Sequence, residues 1–406
     1  MIRSLRGMND ILSEDYERFT YFLQTASRIA QHYGHHYIET PLLEETALFK
    51  RSVGESSDIV GKEMYQFTDK GGNDVCLRPE GTAGVVRAFI QNKLDRKGGI
   101  HRFFYHGPMF RYERPQKGRL REFHQFGVES FGVSSVYEDA AMIMMVSDIL
   151  NELGIGYRLQ LNSLGCQECM PPYRKKLISF LQAAEEHICE DCIRRKSTNP
   201  IRVLDCKNGS CQEKYIDAPK LIDHLCENCA ADFATLQKIL KDNDIEFEID
   251  THLVRGLDYY SKTAFEFVSD NIGSQSAIAG GGRYDRLVEF LDGRATPAVG
   301  FAIGIERLLE LIKMPEAGLE GYYMGAMDKE AIPTIIKTAQ SKRHSDRVVV
   351  EYEPKGLKAH LKNADRIKAR YCVVVGENEL KENTLWVKDL QEKKELVIPA
   401  DEFQEI

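Results

Sequence analysis

No apolar run in this 406-residue sequence is long enough to cross a membrane as a helix. The densest, AAMIMMV at 140–146, ends at Ser147-Asp148, far short of the roughly 20 residues such a span needs. The opening, MIRSLRGMNDILSED, has cations but no apolar stretch behind them, so a secretory signal is not expected and a cytoplasmic protein is. Internal repeats and low-complexity tracts are lacking as well. So is a positive balance of charge: 54 Lys and Arg against 62 Asp and Glu give −8, which argues against a protein that coats nucleic acid indiscriminately. A local basic patch stays compatible with that total, because charges are screened beyond about 8–10 Å at physiological salt. What is present, 43% hydrophobic and 29% charged residues, can bury a sizeable core over this length and excludes disorder. At roughly 100–200 residues per domain, two to four units are expected.

Apolar positions at Tyr16, Phe19, Leu23, Ala26, Ala30 and Tyr33 predict an amphipathic helix over 14–34. From 64 to 133, short aromatic and valine-rich runs (EMYQFTD, DVCLRP, HRFFYHGPMFRYE, REFHQFGVESFG) predict antiparallel strands, with a helix at 83–94 between them. A helix at 136–153 and strands at 157–165, 246–253 and 263–268 follow, then a strand running into a helix in AVGFAIGIERLLELI. Residues 313–321 concentrate Pro315, Gly318 and Gly321 and read as a linker. Beyond it, YYMGAM, RVVVEY, YCVVVGE and TLWVKDL alternate as strands with two amphipathic helices, which predicts a compact α/β domain of about 85 residues.

Five stretches carry chemistry. Arg111-Tyr112-Glu113-Arg114-Pro115-Gln116-Lys117-Gly118-Arg119-Leu120-Arg121 sets five cations in a loop between aromatic strands, either a solvated hairpin or a set of planar forks for phosphate. In Val254-Arg255-Gly256-Leu257-Asp258-Tyr259-Tyr260 the arginine either approaches a ligand or pairs with Asp258. Gly280-Gly281-Gly282 precedes Arg283-Tyr284-Asp285 without a Walker-A lysine, and reads as a close approach to a ligand or a tight strand-to-helix turn. Arg307, in the first turn of the helix begun by Gly304-Ile305-Glu306, sits where the helix dipole disfavours a cation and so suggests a facing anion. Arg78-Pro79-Glu80-Gly81-Thr82 ends a strand at a helix start, with an N-cap as the plain alternative.

Eight of the ten cysteines fall in four close pairs: Cys166/Cys169, Cys189/Cys192, Cys206/Cys211 and Cys226/Cys229. Reducing compartments do not sustain disulfide frameworks, so such pairs point to structural Zn2+ on four thiolates. Cys189, Cys192, Cys206 and Cys211, with thirteen residues between the two pairs, form the first expected quartet; Cys166, Cys169, Cys226 and Cys229 form a possible second. Four pairs combine in three ways, so the partnering stays open, as does a metal-free set of thiols. Cys76 and Cys372 stand alone in apolar strands as small hydrophobes.

Together these motifs resemble histidyl-tRNA synthetase, a class II aminoacyl-tRNA synthetase family, along essentially the whole chain. RGMNDIL is similar to the family's N-terminus, Thr40-Pro41-Leu42-Leu43-Glu44 to motif 1, the FRYER run from Phe110 to motif 2 and GIERLL to motif 3; VRGLDYY and AGGGRYD resemble its two histidine-specific motifs. The resemblance implies an α/β protein: an α+β catalytic domain over 1–320 on a mixed, mainly antiparallel sheet, a cysteine-rich insertion at about 166–230, and an anticodon-binding α/β domain over 321–406. It implies activation of L-histidine with ATP and Mg2+, transfer to the 3′-terminal ribose of tRNA(His), and a homodimer through motif 1. Arg111 and Arg255 would be catalytic; Arg111, Glu113 and Arg307 would hold ATP. Glu80, Thr82, Gln125, Glu129, Tyr259, Tyr260 and Tyr284 would hold histidine, and Arg114, Lys117, Arg119 and Arg121 the acceptor end of the tRNA. Two rivals are a catalytically silent, histidine-binding regulatory subunit of ATP phosphoribosyltransferase and a synthetase for another amino acid of the subclass. Retention of all three arginines and of RGLDYY argues against both.

Overall fold

The computed structural model describes residues 2–54, 57, 59–116, 118–206, 208–255, 257, 259–270, 277–315 and 318–405, and divides into two units, Met1–Lys313 and Met314–Ile406. In the first, the expected aromatic strands form. His101–Phe110 and Glu122–Phe131 pair antiparallel over ten residues each, from His101 opposite Phe131 to Phe110 opposite Glu122. They lie in an eight-stranded sheet ordered His36–Tyr37, His101–Phe110, Glu122–Phe131, Ala298–Gly304, Ala277–Arg283, Ser261–Val268, Arg158–Ser163, Glu248–Ile249. The inner pairings are antiparallel and the two outermost strands join in parallel, so the sheet is mixed and mainly antiparallel.

Alternation along these strands sends Phe126, Val128, Phe265 and Phe301 to one face. There they meet Phe22 and Ile29 of the helix Ser13–His32, Ile143 and Ile149 of Val136–Glu152, and Leu236 and Leu240 of Glu227–Asp242. The opposite face packs Tyr105, Phe131 and Tyr284 against Val85, Val86 and Phe89 of the helix Thr82–Gln91. A small sheet of Leu43–Glu45, Asp74–Leu77 and Gln66–Thr68 stands beside it.

Two expectations need correction. The strand at 246–253 shrinks to Glu248–Ile249, because Asp250 accepts a hydrogen bond from the backbone N–H of His252 at 2.9 Å and starts a turn. The three glycines are no strand-to-helix turn: they are the buried interior of Ala277–Arg283, paired on both edges.

The cysteine-dense segment is helical, with Met170–Ala183, Glu190–Thr198 and Gly209–Tyr215 around Tyr173, Leu177, Leu181, Val203 and Tyr215. Cys76 and Cys372 are buried in their strands.

The second unit is a five-stranded sheet ordered Val348–Glu351, Tyr322–Ala326, Tyr371–Val375, Thr384–Asp389, Lys394–Pro399, the first three parallel and the last two antiparallel. Helices Ile332–Lys342 and Leu357–Arg366 supply its core with Ile335, Ala339 and Ala364. The strand Lys394–Pro399 and the helix Glu377–Glu382 escape a reading by pattern: adjacent Leu396 and Val397 are both exposed, and the helix buries nothing.

Candidate active site

The turn between the two long strands brings its cations back over the sheet. Arg111 leaves the strand end with its Nε donating to the Pro79 carbonyl at 2.9 Å and its guanidinium 5.1 Å from the Phe123 ring centre. Arg255 reaches the same place from the far side of the sheet, its Nη1 2.8 Å from a Glu266 carboxylate oxygen and its guanidinium 5.4 Å from the Tyr260 ring centre. Arg307, on the short helix Ile305–Leu309, donates from Nε to Gly118 O at 3.0 Å and from Nη1 to Ala277 O at 2.6 Å. All three line one open cleft enclosing about 1030 Å³, together with Glu80, Thr82, Glu113, Arg119, Gln125, Tyr259 and Tyr260. Burial, with the neighbouring Arg119 and Arg111, pushes the Arg307 pKa down, and Glu113 and Glu266 oppose that shift. Burial also works against the Arg255 charge, but Tyr260 and Glu266 outweigh it and hold the guanidinium protonated.

Across the cleft, Glu80 caps the helix Thr82–Gln91, accepting from the backbone N–H of Thr82 at 2.6 Å and of Ala83 at 2.9 Å. The residue at the N-cap itself is Gly81; Glu80 serves the first-turn N–H groups from one position earlier, the Thr82 hydroxyl bonds elsewhere, and both residues line the cleft. Burial raises the Glu80 pKa despite those bonds. The Thr82 hydroxyl donates at 2.7 Å to Glu129, which also accepts from Tyr105 at 3.2 Å and, by a short bond, from Tyr284. Burial lifts Glu129 to a pKa of about 8 against these three donors. Glu129 and Tyr284 are both buried and connect to the cleft through Thr82.

Apart from Glu113 Oε2, which lies 3.0 Å from the Arg119 guanidinium, three buried polar atoms at the cleft have no hydrogen-bond partner among the described residues: Gln125 Oε1, Arg255 Nε and the Tyr259 hydroxyl. Buried polar groups are seldom left so, and a ligand with matching donors and acceptors would complete them.

The expected tRNA contacts divide. Arg119 pairs with Glu113 at 3.0 Å inside the cleft; Arg121 lies 3.9 Å over the Tyr112 ring; Arg114 is exposed; Lys117 lies outside the described residues. Gly256 and Asp258 are outside them too, and the anion beside Arg255 is Glu266. Glu266, Glu306 and Phe123 complete the cleft without having been singled out in the sequence. Glu266 was legible as the lone charge in the strand TAFEFV, and Glu306, which accepts from the His124 backbone N–H at 2.9 Å, as the acid beside Arg307. The cysteines gather in two groups, Cys166, Cys169, Cys226 and Cys229, and Cys189, Cys192, Cys206 and Cys211, with the sulfurs of each group within 4.8 Å of one another.

Such a sheet, with arginines from three distant segments converging on a cleft, in a chain that also carries a separate α/β unit, is that of an aminoacyl-tRNA synthetase. The family described as "Histidyl-tRNA synthetase" matches residues 7–308, and that described as "Anticodon binding domain" matches 323–406. The chain is 75% identical to the histidine–tRNA ligase of Sulfurimonas denitrificans, over 99% of this chain and 100% of the relative, and 63% identical to that of Sulfurovum sp., over 99% and 100%. The crystal structure of apo S. aureus histidyl-tRNA synthetase, 34% identical, superposes with a TM-score of 0.83 over 100% of this chain and 99% of that one. The chain belongs to the histidyl-tRNA synthetase family, and its activity is the ligation of histidine to tRNA. That family works with ATP and Mg2+. Full-length identity to named ligases sets the regulatory-subunit reading aside.

Proposed function

We propose that the cleft joins histidine to ATP, with Arg111 and Arg255 on the α-phosphate and Arg307 on the nucleotide's base and terminal phosphate. A carboxylate oxygen of histidine attacks the α-phosphorus, the new O–P bond forms as the bond to pyrophosphate breaks, and charge grows on the phosphoryl oxygens. Guanidinium groups already in position stabilise that charge without reorganising, the largest single source of rate in many such reactions. Phe123 offers a flat face for the adenine opposite Arg307. Glu80, Thr82 and Gln125 take the α-ammonium end, and Tyr259 and Tyr260 the imidazole. Glu129 and Tyr284 act from behind by orienting Thr82 and the wall. A site whose polar groups stay unpaired without imidazole can discriminate by about 10⁴–10⁵ against apolar isosteres.

Mg2+ suits this cleft, where Glu113 and Glu266 offer the oxygen donors it takes alongside phosphates. Bound there, it would neutralise the departing pyrophosphate. In the second step a hydroxyl of the tRNA's terminal ribose attacks the acyl carbon and AMP leaves. Arg114, Lys117 and Arg121 of the hairpin loop meet the acceptor end, with Arg119 shared between tRNA and nucleotide. Residues 1–320 form the catalytic domain and 321–406 the module that binds the anticodon. A homodimer through motif 1 is supported by the exposed apolar Tyr37, Leu42 and Leu43 beside it. The reduced cysteines fit a cytoplasmic enzyme, and structural zinc belongs to the same reading.

The observation that carries this proposal is the convergence of Arg111, Arg255 and Arg307 on one cleft with three unpaired polar atoms. Histidine-dependent exchange of pyrophosphate into ATP tests it. Arg255→Ala should lower exchange a hundredfold or more while ATP binding falls far less; equal losses in both would remove Arg255 from its role.

A further inference from the structure

We propose that the chain carries two zinc ions, each on four cysteine thiolates, and that the one on Cys166, Cys169, Cys226 and Cys229 fixes the bend that aims Tyr259 and Tyr260 into the cleft. The sulfur separations carry the first half. Cys166 Sγ lies 3.7 Å from Cys169 Sγ and 3.8 Å from Cys226 Sγ, and Cys189 Sγ lies 3.8 Å from Cys206 Sγ. A tetrahedron with sulfurs at the Zn–S length of about 2.3 Å has an edge of about 3.8 Å. A disulfide would instead hold its sulfurs at about 2 Å.

The surroundings suit thiolates. Backbone N–H groups point at the sulfurs: Glu168 N to Cys166 at 3.4 Å, Cys226 N to Cys169 at 3.2 Å, and Cys189 N to Cys211 at 3.2 Å. Cys169, Cys226 and Cys189 each stand at the N-terminal cap of a helix, where the dipole favours negative charge. Gly165, at φ +61°, leaves room for this arrangement, since a Cβ there would lie 2.6 Å from Cys169 Cβ.

The two centres differ in what they hold. The quartet at Cys189, Cys192, Cys206 and Cys211 belongs wholly to the insertion. The other closes the insertion's root, tying the chain just after the strand Arg158–Ser163 to the start of the helix Glu227–Asp242. Its knuckle also grips the next strand. Leu164 N donates to Lys262 O at 2.6 Å, and Lys262 N donates to Gly165 O at 2.8 Å. Lys262 is a non-glycine residue at φ +50°, in the register shift between the pairs Gly282–Ala264 and Arg283–Ser261. Two and three residues earlier stand Tyr260 and Tyr259. A left-handed lysine persists only where its surroundings over-determine it, and the metal knuckle supplies both clamping bonds.

The tyrosine half rests on the histidine pocket proposed above; the metal half does not. The test uses the full chain, purified reduced and without chelator. Elemental analysis should give two zinc ions per chain, and Co2+-exchanged protein should show the visible bands of tetrahedral cobalt and thiolate charge transfer. Cys229→Ala should keep one zinc and raise the KM for histidine tenfold or more, with the KM for ATP within twofold. Cys192→Ala should also keep one zinc but leave both KM values within twofold. Wild-type protein holding no zinc, iron in its place, or disulfides in each pair would overturn the metal assignment, whether or not either variant folds. Two zinc ions with an unchanged histidine KM in a folded, zinc-depleted Cys229→Ala chain would overturn the link to the tyrosines. Loss of histidine-dependent exchange from the wild type would instead remove the pocket assignment, and the zinc count would stand.

Discussion

The guanidinium of Arg255 comes so close to Gly280 that a Cβ on that glycine would sit 2.5 Å from Nη1 and 2.7 Å from Nη2. The middle of the sheet thus gives up side-chain volume to seat one cation. Gly280→Ala should displace that cation while keeping the ladder to Ala302 and Glu266. We expect histidine-dependent pyrophosphate exchange to fall by ten- to a hundredfold, roughly 1.4–3 kcal/mol of transition-state stabilisation. The melting temperature should move by only a few degrees. Unchanged exchange in a folded variant would dissociate Arg255 from the chemistry.

Glu129 makes stability depend on pH. Burial raises its folded pKa to about 8, against 4.5 for an ordinary glutamate, so between those values the folded chain keeps a proton that the unfolded chain has lost. Stability from this group is therefore fully present below about pH 4.5 and lost as pH rises toward 8, on the order of a few kcal/mol. Glu129→Gln cannot ionise. Its melting temperature should fall less between pH 6 and 8.5 than that of the wild type, read by scanning calorimetry; parallel slopes would contradict the assignment.

Arg283 and Asp139 form an ion pair with both side chains almost fully buried, Nε to Oδ1 being 2.9 Å, and the Thr263 hydroxyl donates to the other carboxylate oxygen at 2.6 Å. Asp139→Ala leaves the guanidinium buried with only Asp285 as a charged partner. Removing one member of a buried pair costs about 3–5 kcal/mol. Urea unfolding of the first unit should register that loss. A loss below about 1 kcal/mol would mean that Asp285 alone suffices.

Arg307 separates the two substrates. Arg307→Ala should raise the KM for ATP tenfold or more and leave the KM for histidine within threefold, because its hydrogen bonds go to Gly118 and Ala277 and to none of the residues assigned to histidine. Steady-state exchange with each substrate varied in turn reads the split. Equal rises in both would place Arg307 between the substrates rather than on the nucleotide.

In the second unit, fully buried His360 spans the Tyr323 hydroxyl at 2.9 Å and the Ala326 carbonyl at 3.0 Å, over Gly325. His360→Ala opens a cavity, takes the imidazole from the Ala326 carbonyl and leaves the Tyr323 hydroxyl with Asn363 at 3.3 Å, for a loss of about 2–4 kcal/mol. Aminoacylation of tRNA should fall at temperatures where histidine-dependent exchange persists. Parallel loss of both activities would argue that the second unit is needed for the first to fold.

Much of the fold was legible as period and punctuation. The helices at 13–32 and 136–152 and the long aromatic hairpin turn regular sets of apolar residues inward, and the parallel strands Tyr322–Ala326 and Tyr371–Val375 are apolar runs buried on both faces; burial is what writes a pattern. Where little is buried, as along Lys394–Pro399, there was no pattern to read. The glycine run misled for a related reason. Three residues without side chains carry no period, and what they accommodate, Arg255 at Gly280 and the Gly300 carbonyl at Gly281, comes from segments distant in sequence.

By itself the sequence determined which groups this protein has: three arginines able to meet a nucleotide, two tyrosines for a ring, eight thiols in pairs. Only the tertiary structure decided their company. It put Arg119 against Glu113 at the cleft, joined Glu129 to Thr82 by a hydrogen bond, and sorted the thiols into two quartets. The physical reason is range. Propensity and spacing act over a few residues, whereas ion pairing, close approach and metal geometry depend on distances of about 3–4 Å between atoms that the chain joins only through dozens of residues.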